Sequence, residues 1–211
     1  ERSTWLARQT KKRDFHDDVG THVQALAGRF EVVQYGVLHP DSRTLPLLGL
    51  RTHDWRRDRP IALITGGVHG YETSGVHGAL RFAQTRAAAY ESGWNLVIAP
   101  CVSPWGYETV NRWNPAAVDP NRSFVPASAA PEARQLMSWI ASKQLQPTLH
   151  IDLHETTDTD HTEFRPALAA REGTALKSSP IPDGFYTVGP TARPALAFQE
   201  AIIASVATVT H

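Results

Sequence analysis

The stretch Ile61–Gly75, IALITGGVHGYETSG, decides how the chain folds. Pro60–Thr65 is a continuous apolar run of strand length, the pattern of a strand buried on both faces. It breaks into two glycines, and Thr73–Tyr90 then follows with helical spacing at Val76, Leu80, Ala83 and Ala87. At the break stand His69 and Glu72, whose i, i+3 spacing at a helix start can turn both side chains toward one point. The flanking glycines let the backbone curl around that point. Alone the pair is a weak signal, and reads more readily as a polar turn whose first-turn glutamate is favoured by the helix dipole.

Working outward, Asn95–Pro100 and Thr148–Leu153 read as two further buried strands. Pro131–Gln144 reads as a helix with proline near its start and Leu136, Trp139 and Ile140 on one face, and Ala192–Val209 as a last helix. On the N-terminal side, Asp14–Ala27 has amphipathic spacing at Phe15, Val19, Val23 and Leu26 and stops at Gly28. Phe30–Leu38 and Leu45–Arg51 read as strands paired around the Pro40-Asp41-Ser42 turn. Strands alternating with helices predict an α/β, three-layer fold: a central, mostly parallel mixed sheet flanked by helices, with antiparallel members at the N-terminal edge. Only two short stretches, Ala127–Pro131 and Lys177–Pro182, resemble linkers, so the expectation is one catalytic domain over 1–211.

Composition narrows the functional classes. Lys+Arg and Asp+Glu are equal at 21 each, which gives no electrostatic reason to expect nucleic acid or an anionic membrane as partner. The longest apolar runs are strand-sized, well short of the ~20 residues that cross a bilayer. The single cysteine, Cys101, has no internal disulfide partner, which fits a reducing, cytoplasmic setting better than a secreted one.

In α/β sheets ligands bind beyond the carboxyl ends of the strands. Three segments occupy those positions: Gly66–Glu72, then Pro104–Tyr107 leading to Asp119-Pro120-Asn121-Arg122, and His150–Glu155. His154 ends a strand expected near the first. Two histidines and a carboxylate with a fourth position open is the ligand set of a catalytic rather than a structural zinc. His150 and Asp152 share a strand face with His154, but read as strand residues hydrogen-bonded into neighbouring loops. Glu155 falls on the opposite face and reads as a supporting residue.

GGVHGYETSG, SPWGYETVNRWNPAAVDPNRSF and HIDLHE together resemble the zinc carboxypeptidase family of metallopeptidases. Its pattern runs H-x-x-E, then NP-x-G-[YF] leading to R-x-N and D-x-NR, then a strand-borne histidine; order and spacing match over about Ile61–Glu155. The resemblance implies one zinc per chain on His69, Glu72 and His154. It implies that Arg112 stabilises the developing oxyanion, that Asn121 and Arg122 grip a substrate carboxylate, and that Asp119 orients the first zinc histidine. These transfers are chemically sound, because guanidinium binds carboxylate bidentately and a carboxylate behind a zinc-bound imidazole fixes its tautomer. Two positions depart from the pattern. Ser103 stands for the usual asparagine, and the aromatic after the Asn-Arg pair is displaced to Phe124.

The family's general base, a glutamate on a late strand, has no counterpart in the sequence. Glu163 reads as part of a polar loop and Glu200 as a helix-surface carboxylate. The stretch after Glu155 is also shorter than the family needs to complete its sheet, so the resemblance implies a C-terminal strand segment not contained in these residues. The leading expectation is a zinc metallocarboxypeptidase hydrolysing an amide near a free carboxylate. A zinc deacylase of N-acyl amino acids, like succinylglutamate desuccinylase and aspartoacylase, would use the same centre with a different pocket. A zinc-containing domain that binds carboxylates without turnover is the third possibility. Tyr186 reads as a half-buried strand tyrosine rather than a substrate-side hydroxyl, and Asp158–His161 as a solvated loop rather than a second cation site.

Overall fold

The computed structural model describes residues 2–176 and 184–210, so the expected linker Lys177–Pro182 lies outside the described residues. Two compact units are formed, Glu1–Glu155 and Thr156–His211.

In the first unit, a short helix α1 (Arg2–Ala7) precedes a π-helical turn, His16–Gly20, and α2 (Thr21–Gln24). Asp14 opens that turn by accepting a hydrogen bond from the Asp17 backbone N–H at 3.0 Å. The helix expected over Asp14–Ala27 is therefore present, but wound partly as π-helix. Strands β1 (Phe30–Leu38) and β2 (Leu45–Thr52) pair antiparallel across the expected turn. Next come β3 (Ile61–Gly66), α3 (Thr73–Thr85), β4 (Asn95–Ala99), α4 (Pro104–Thr109), α5 (Pro131–Ser142) and β5 (Leu149–Leu153).

The sheet order is β1-β2-β4-β3-β5, with β3 parallel to both β4 and β5 and the first two strands antiparallel. This is the expected α/β sheet with a parallel core and an antiparallel N-terminal edge. The connection through α3 carries the chain from β3 to β4 on one side, and the next connection returns it to β5 on the other. The strand order thus reverses about β3, which makes the β3/β5 carboxyl ends a topological switch point.

Period-2 alternation sorts the strands' side chains onto two faces. Ala62, Ile64, Leu96 and Ile98 join Val76, Leu80 and Ala83 of α3 and Phe15, Val19 and Val23 of the N-terminal turn in one core. Leu63, Val97 and Ala99 join Leu136 and Trp139 of α5 in the other. Trp139 stacks on Tyr35 of β1, with ring centroids 4.9 Å apart, which anchors α5 against the sheet's antiparallel edge.

Three helices, α1, α4 and α6, were not expected from sequence, the last two for opposite reasons. All six residues of α4 are buried, so no polar face marks a period; proline starts it and Val110, left-handed at φ 55°, ends it. In the second unit, α6 (Arg165–Glu172) has no buried residue, and Gly173 at φ 64° terminates it. That unit also contains the π-helical turn Asp160–Phe164 and α7 (Leu196–Val206), where the helical pattern was expected.

Helix α3 lies unusually close to the strand that follows it in space. A Cβ on Gly75 would clash with the Leu153 carbonyl oxygen at the end of β5. Only hydrogen fits there. Gly75→Ala is therefore expected to destabilise the protein by ~1–3 kcal/mol, the usual range for overpacking a rigid site. Urea denaturation of the metal-free protein measures this, and an unchanged midpoint would contradict the close approach.

Candidate metal centre

The loop leaving β3 is stitched to the loop leaving β4. The backbone N–H groups of Val102 and Ser103 donate to the carbonyls of Gly66 and Gly67, at 3.0 and 2.9 Å. The Ser103 hydroxyl, at the position where the zinc carboxypeptidase pattern has asparagine, donates to the Val68 carbonyl at 2.7 Å. Gly70 then packs so tightly against α4 that a Cβ would overlap the Tyr107 backbone nitrogen. These contacts fix the backbone on both sides of His69.

A turn closed by Glu72 N–H to the His69 carbonyl, 3.1 Å, brings the two side chains together. His69 Nδ1 lies 2.8 Å from Glu72 Oε1. From the neighbouring strand, His154 follows directly on β5 and sets its Nδ1 2.8 Å from Glu72 Oε2. The Glu155 backbone N–H also donates to Glu72 Oε2, at 3.1 Å. Ligand atoms of His69, Glu72 and His154 all lie within 4.8 Å of one another.

Both imidazoles present Nδ1 to this cluster and turn Nε2 to a carboxylate. His69 Nε2 meets Asp119 Oδ1 at 3.0 Å, and His154 Nε2 meets Asp152 Oδ2 at 2.7 Å. A carboxylate on the far nitrogen fixes the tautomer and strengthens the near nitrogen as a donor. The set of two nitrogens and one carboxylate, each imidazole so backed, fits a zinc-like cation.

Asp119 joins this cluster to the next candidates. Its Oδ2 accepts from Arg112 Nε at 3.2 Å, and its Oδ1 also accepts from the Asn121 backbone N–H at 2.9 Å. Arg112 is thereby held one carboxylate away from His69. Arg122 follows Asn121 in a short 3-10 turn, with its side chain exposed. Of the residues singled out from sequence, the structure gathers His69, Glu72, His154, Asp119 and Arg112 through direct contacts, and sets Asn121 and Arg122 immediately after Asp119.

Protonation in the metal-free cluster follows from these contacts. Burial works against the Glu72 carboxylate, but the hydrogen bonds from His154 and His69 outweigh it and lower its pKa to about 2. Burial likewise opposes the His154 imidazolium, yet the hydrogen bonds to Asp152 and Glu72 prevail and raise it to about 10. His69 is raised in the same way, against burial, by Asp119 and Glu72. Asp119 is lowered to about 2 by His69 and Arg112 despite burial.

Several sequence readings change. Asp152 does more than bond into a loop: its Oδ2 meets His154, just beyond β5, and its Oδ1 accepts from the Thr65 hydroxyl of β3 at 2.6 Å. His150 contacts the same hydroxyl through Nε2 at 2.9 Å. The alternation of 150, 152 and 154 signalled their shared face, but the partner across the sheet depended on register. Glu155 supports the site as expected, accepting from the backbone N–H and hydroxyl of Ser74 at the start of α3. Glu163 lies not in a loop but in the π-helical turn of the second unit. Tyr186 is outside any strand and exposed, its hydroxyl 2.6 Å from Thr156 Oγ1. Asp158–His161 is helical rather than a solvated loop, with Asp160 buried, and among the described residues it forms no metal-type cluster.

An α/β sheet with two histidines and a glutamate converging at its switch point is the arrangement of a carboxypeptidase-like fold with a candidate metal centre. The model of the succinylglutamate desuccinylase/aspartoacylase catalytic domain matches residues 58–179, more than half of the chain, and the protein belongs to that family. Among solved structures, a metallopeptidase candidate from Shewanella denitrificans OS217 is similar at 21% identity and TM-score 0.55, over 80% of this chain and 67% of that one. A metallo-carboxypeptidase from Burkholderia cenocepacia aligns at 21% identity and TM-score 0.54, over 67% of this chain and 40% of that one. A metallo-carboxypeptidase from Pseudomonas aeruginosa, in complex with (2-guanidinoethylmercapto)succinic acid, aligns at 18% identity and TM-score 0.53, over 80% and 52%. At these identities the likeness is one of fold. No functionally curated protein matches the sequence.

A pH dependence follows for the metal-free protein. The His154 imidazolium adds stability that is complete below its ordinary value of 6.5 and lost as pH rises through about 10. The Glu72 carboxylate adds stability present above its ordinary value of 4.5 and lost as pH falls through about 2. Urea midpoints are expected to be highest in the interval between those ordinary values and to fall on both sides. Zinc must displace the imidazolium protons, so its affinity is expected to rise with pH, with roughly one to two protons released at pH 7. Calorimetry in buffers of different ionisation enthalpy measures that release.

Proposed function

We propose that the protein is a zinc-dependent hydrolase that cleaves an amide bond near a free carboxylate, with N-acyl amino acids as the favoured substrate class. The observation that carries this reading is the His69–Glu72–His154 cluster linked through Asp119 to Arg112, in a chain of the desuccinylase/aspartoacylase family. Sequence motifs alone favoured a carboxypeptidase. The family match extends over residues 58–179, whereas the carboxypeptidase likeness is one of fold, and this shifts the preference to deacylation. That match runs from the first unit into the second and ends at residue 179.

His69, Glu72 and His154 would hold the zinc. When bound, zinc supplies Lewis acidity that polarises a carbonyl and makes water a better nucleophile at neutral pH. Asp119 keeps a proton on His69 Nε2 and so leaves Nδ1 as the donor. The same carboxylate steers Arg112, whose guanidinium would stabilise a developing oxyanion. Exposed Arg122, beside Asn121, is suited to a substrate carboxylate, since guanidinium offers a planar pair of N–H groups to two oxygens.

A second reading, peptide hydrolysis from a free C-terminus, is favoured by the fold likeness to carboxypeptidases, one of which carries a succinic acid derivative. The zinc-loaded chain offered an N-acyl amino acid and an N-blocked dipeptide separates the two. Turnover of the first is expected. Turnover of the dipeptide alone would establish the second reading. Stoichiometric zinc and carboxylate binding without either turnover would make this a non-catalytic carboxylate-binding domain.

With the active substrate, Arg112→Ala is expected to lower kcat by ~10²–10³-fold, as loss of an oxyanion donor does. Arg122→Ala is expected instead to raise KM, with Lys a poor replacement because it cannot bind bidentately. Steady-state kinetics distinguishes these outcomes; equal effects of both on KM alone would remove Arg112 from the chemical step.

A further inference from the structure

We propose that Thr65 is a positioning residue of the metal centre, its one hydroxyl holding the carboxylate of Asp152 and through it the ring of His154. The inference rests on the zinc reading above and deepens it.

Thr65 lies in β3 and is only 1% exposed. The parallel register pairs it with Asp152 of β5. Its hydroxyl donates to Asp152 Oδ1 at 2.6 Å, while Asp152 Oδ2 faces His154 Nε2 at 2.7 Å. With one oxygen tied to each neighbour, the carboxylate cannot rotate without breaking a bond. A hydroxyl has a single hydrogen. Since that hydrogen goes to Asp152, Thr65 must accept from His150 Nε2–H at 2.9 Å, which specifies the His150 tautomer. The donors therefore run in one direction, from His150 through Thr65 to Asp152, and His154 donates to Asp152 from the other side. His154 is left with Nδ1 facing Glu72 and the metal position.

The two ligand histidines need different degrees of help. The side chain of His69 is 3% exposed and is packed on all sides, and its carboxylate Asp119 is held by the Asn121 backbone and by Arg112. The side chain of His154 is 32% exposed, so packing constrains its ring less. Its orientation depends on Asp152, and among the described residues no backbone N–H or arginine bonds to Asp152; the hydroxyl of Thr65 performs that task. Thr52 of β2 gives the contrast. There, among the described residues, the hydroxyl bonds only to the backbone of Leu96, accepting at 2.7 Å and donating at 3.3 Å, as a purely structural strand threonine does. Thr65 bonds to ionisable side chains instead.

The test compares wild type with Thr65→Val, which keeps the shape and removes the hydroxyl, and with Thr65→Ser, which restores the hydroxyl. Zinc affinity is read by chelator competition, the ligand geometry by the visible spectrum of the cobalt(II)-loaded protein, and metal-free stability by urea. Thr65→Val is expected to bind zinc ~10–100-fold more weakly, the usual effect of losing an outer-shell partner, and to shift the cobalt bands. Thr65→Ser is expected to recover both. If Thr65→Val does not fold, Thr65→Ala serves as the hydroxyl-free variant, since a smaller side chain adds no clash. Wild-type affinity and spectrum in the hydroxyl-free variants would overturn the inference, as would a Thr65→Ser protein as weak as Thr65→Val. A wild-type chain that binds no zinc would remove the metal reading itself, and the inference with it.

Discussion

Everything at the candidate centre depends on one buried carboxylate. Glu72 is 1% exposed and takes hydrogen bonds from two histidines on different strand ends and from the Glu155 backbone. A carboxylate in such a place is costly unless its charge is matched and its lone pairs are filled. The metal-free protein satisfies it with protonated imidazoles, and a bound dication would satisfy it instead. Either way the β3 and β5 carboxyl ends must stay together, so the charge on Glu72 couples the stability of the sheet to the state of the site.

Backbone proximity makes that convergence possible. Glycines at 70 and 75 let the β3 loop touch α4 and let α3 touch the end of β5, at distances that any Cβ would prevent. The result is a strand, a loop and a helix start whose relative positions have little slack. This matters because ligand distances of a metal site tolerate errors of only a few tenths of an ångström. The two carboxylates behind the histidines, Asp119 and Asp152, extend this rigidity outward. Asp119 connects the centre to the loop of Arg112 and to the Asn121-Arg122 pair, and Asp152 connects it back into the sheet through Thr65.

Much of the site was legible as motifs because its ligands come from short, contiguous stretches with fixed local geometry. His69 and Glu72 sit one helical turn apart, and Asp119, Asn121 and Arg122 lie within one turn of backbone. The departures were legible too, but not their meaning: Ser103 in place of asparagine became interpretable only when its hydroxyl was found on the Val68 carbonyl. Thr65 was illegible altogether. A threonine in an apolar strand is ordinary, and only the pairing with Asp152 distinguishes it from Thr52. Helix α4 escaped for a related reason, since a helix buried on every side carries no periodic signal.

The sequence by itself determined the alternation of strands and helices, the core faces and the His69–Glu72 pair as a candidate ligand motif, because these depend on periodicity and on spacing within a few residues. Tertiary structure alone decided which strands are neighbours, that the order reverses at β3, and that His154 meets Glu72 from across the sheet. It also decided that Asp152, which backs His154 two residues along, is itself held by Thr65 across the β3–β5 register. Those are choices between residues far apart in the chain. They are made by the close packing of glycine-lined loops and by the need to satisfy one buried charge.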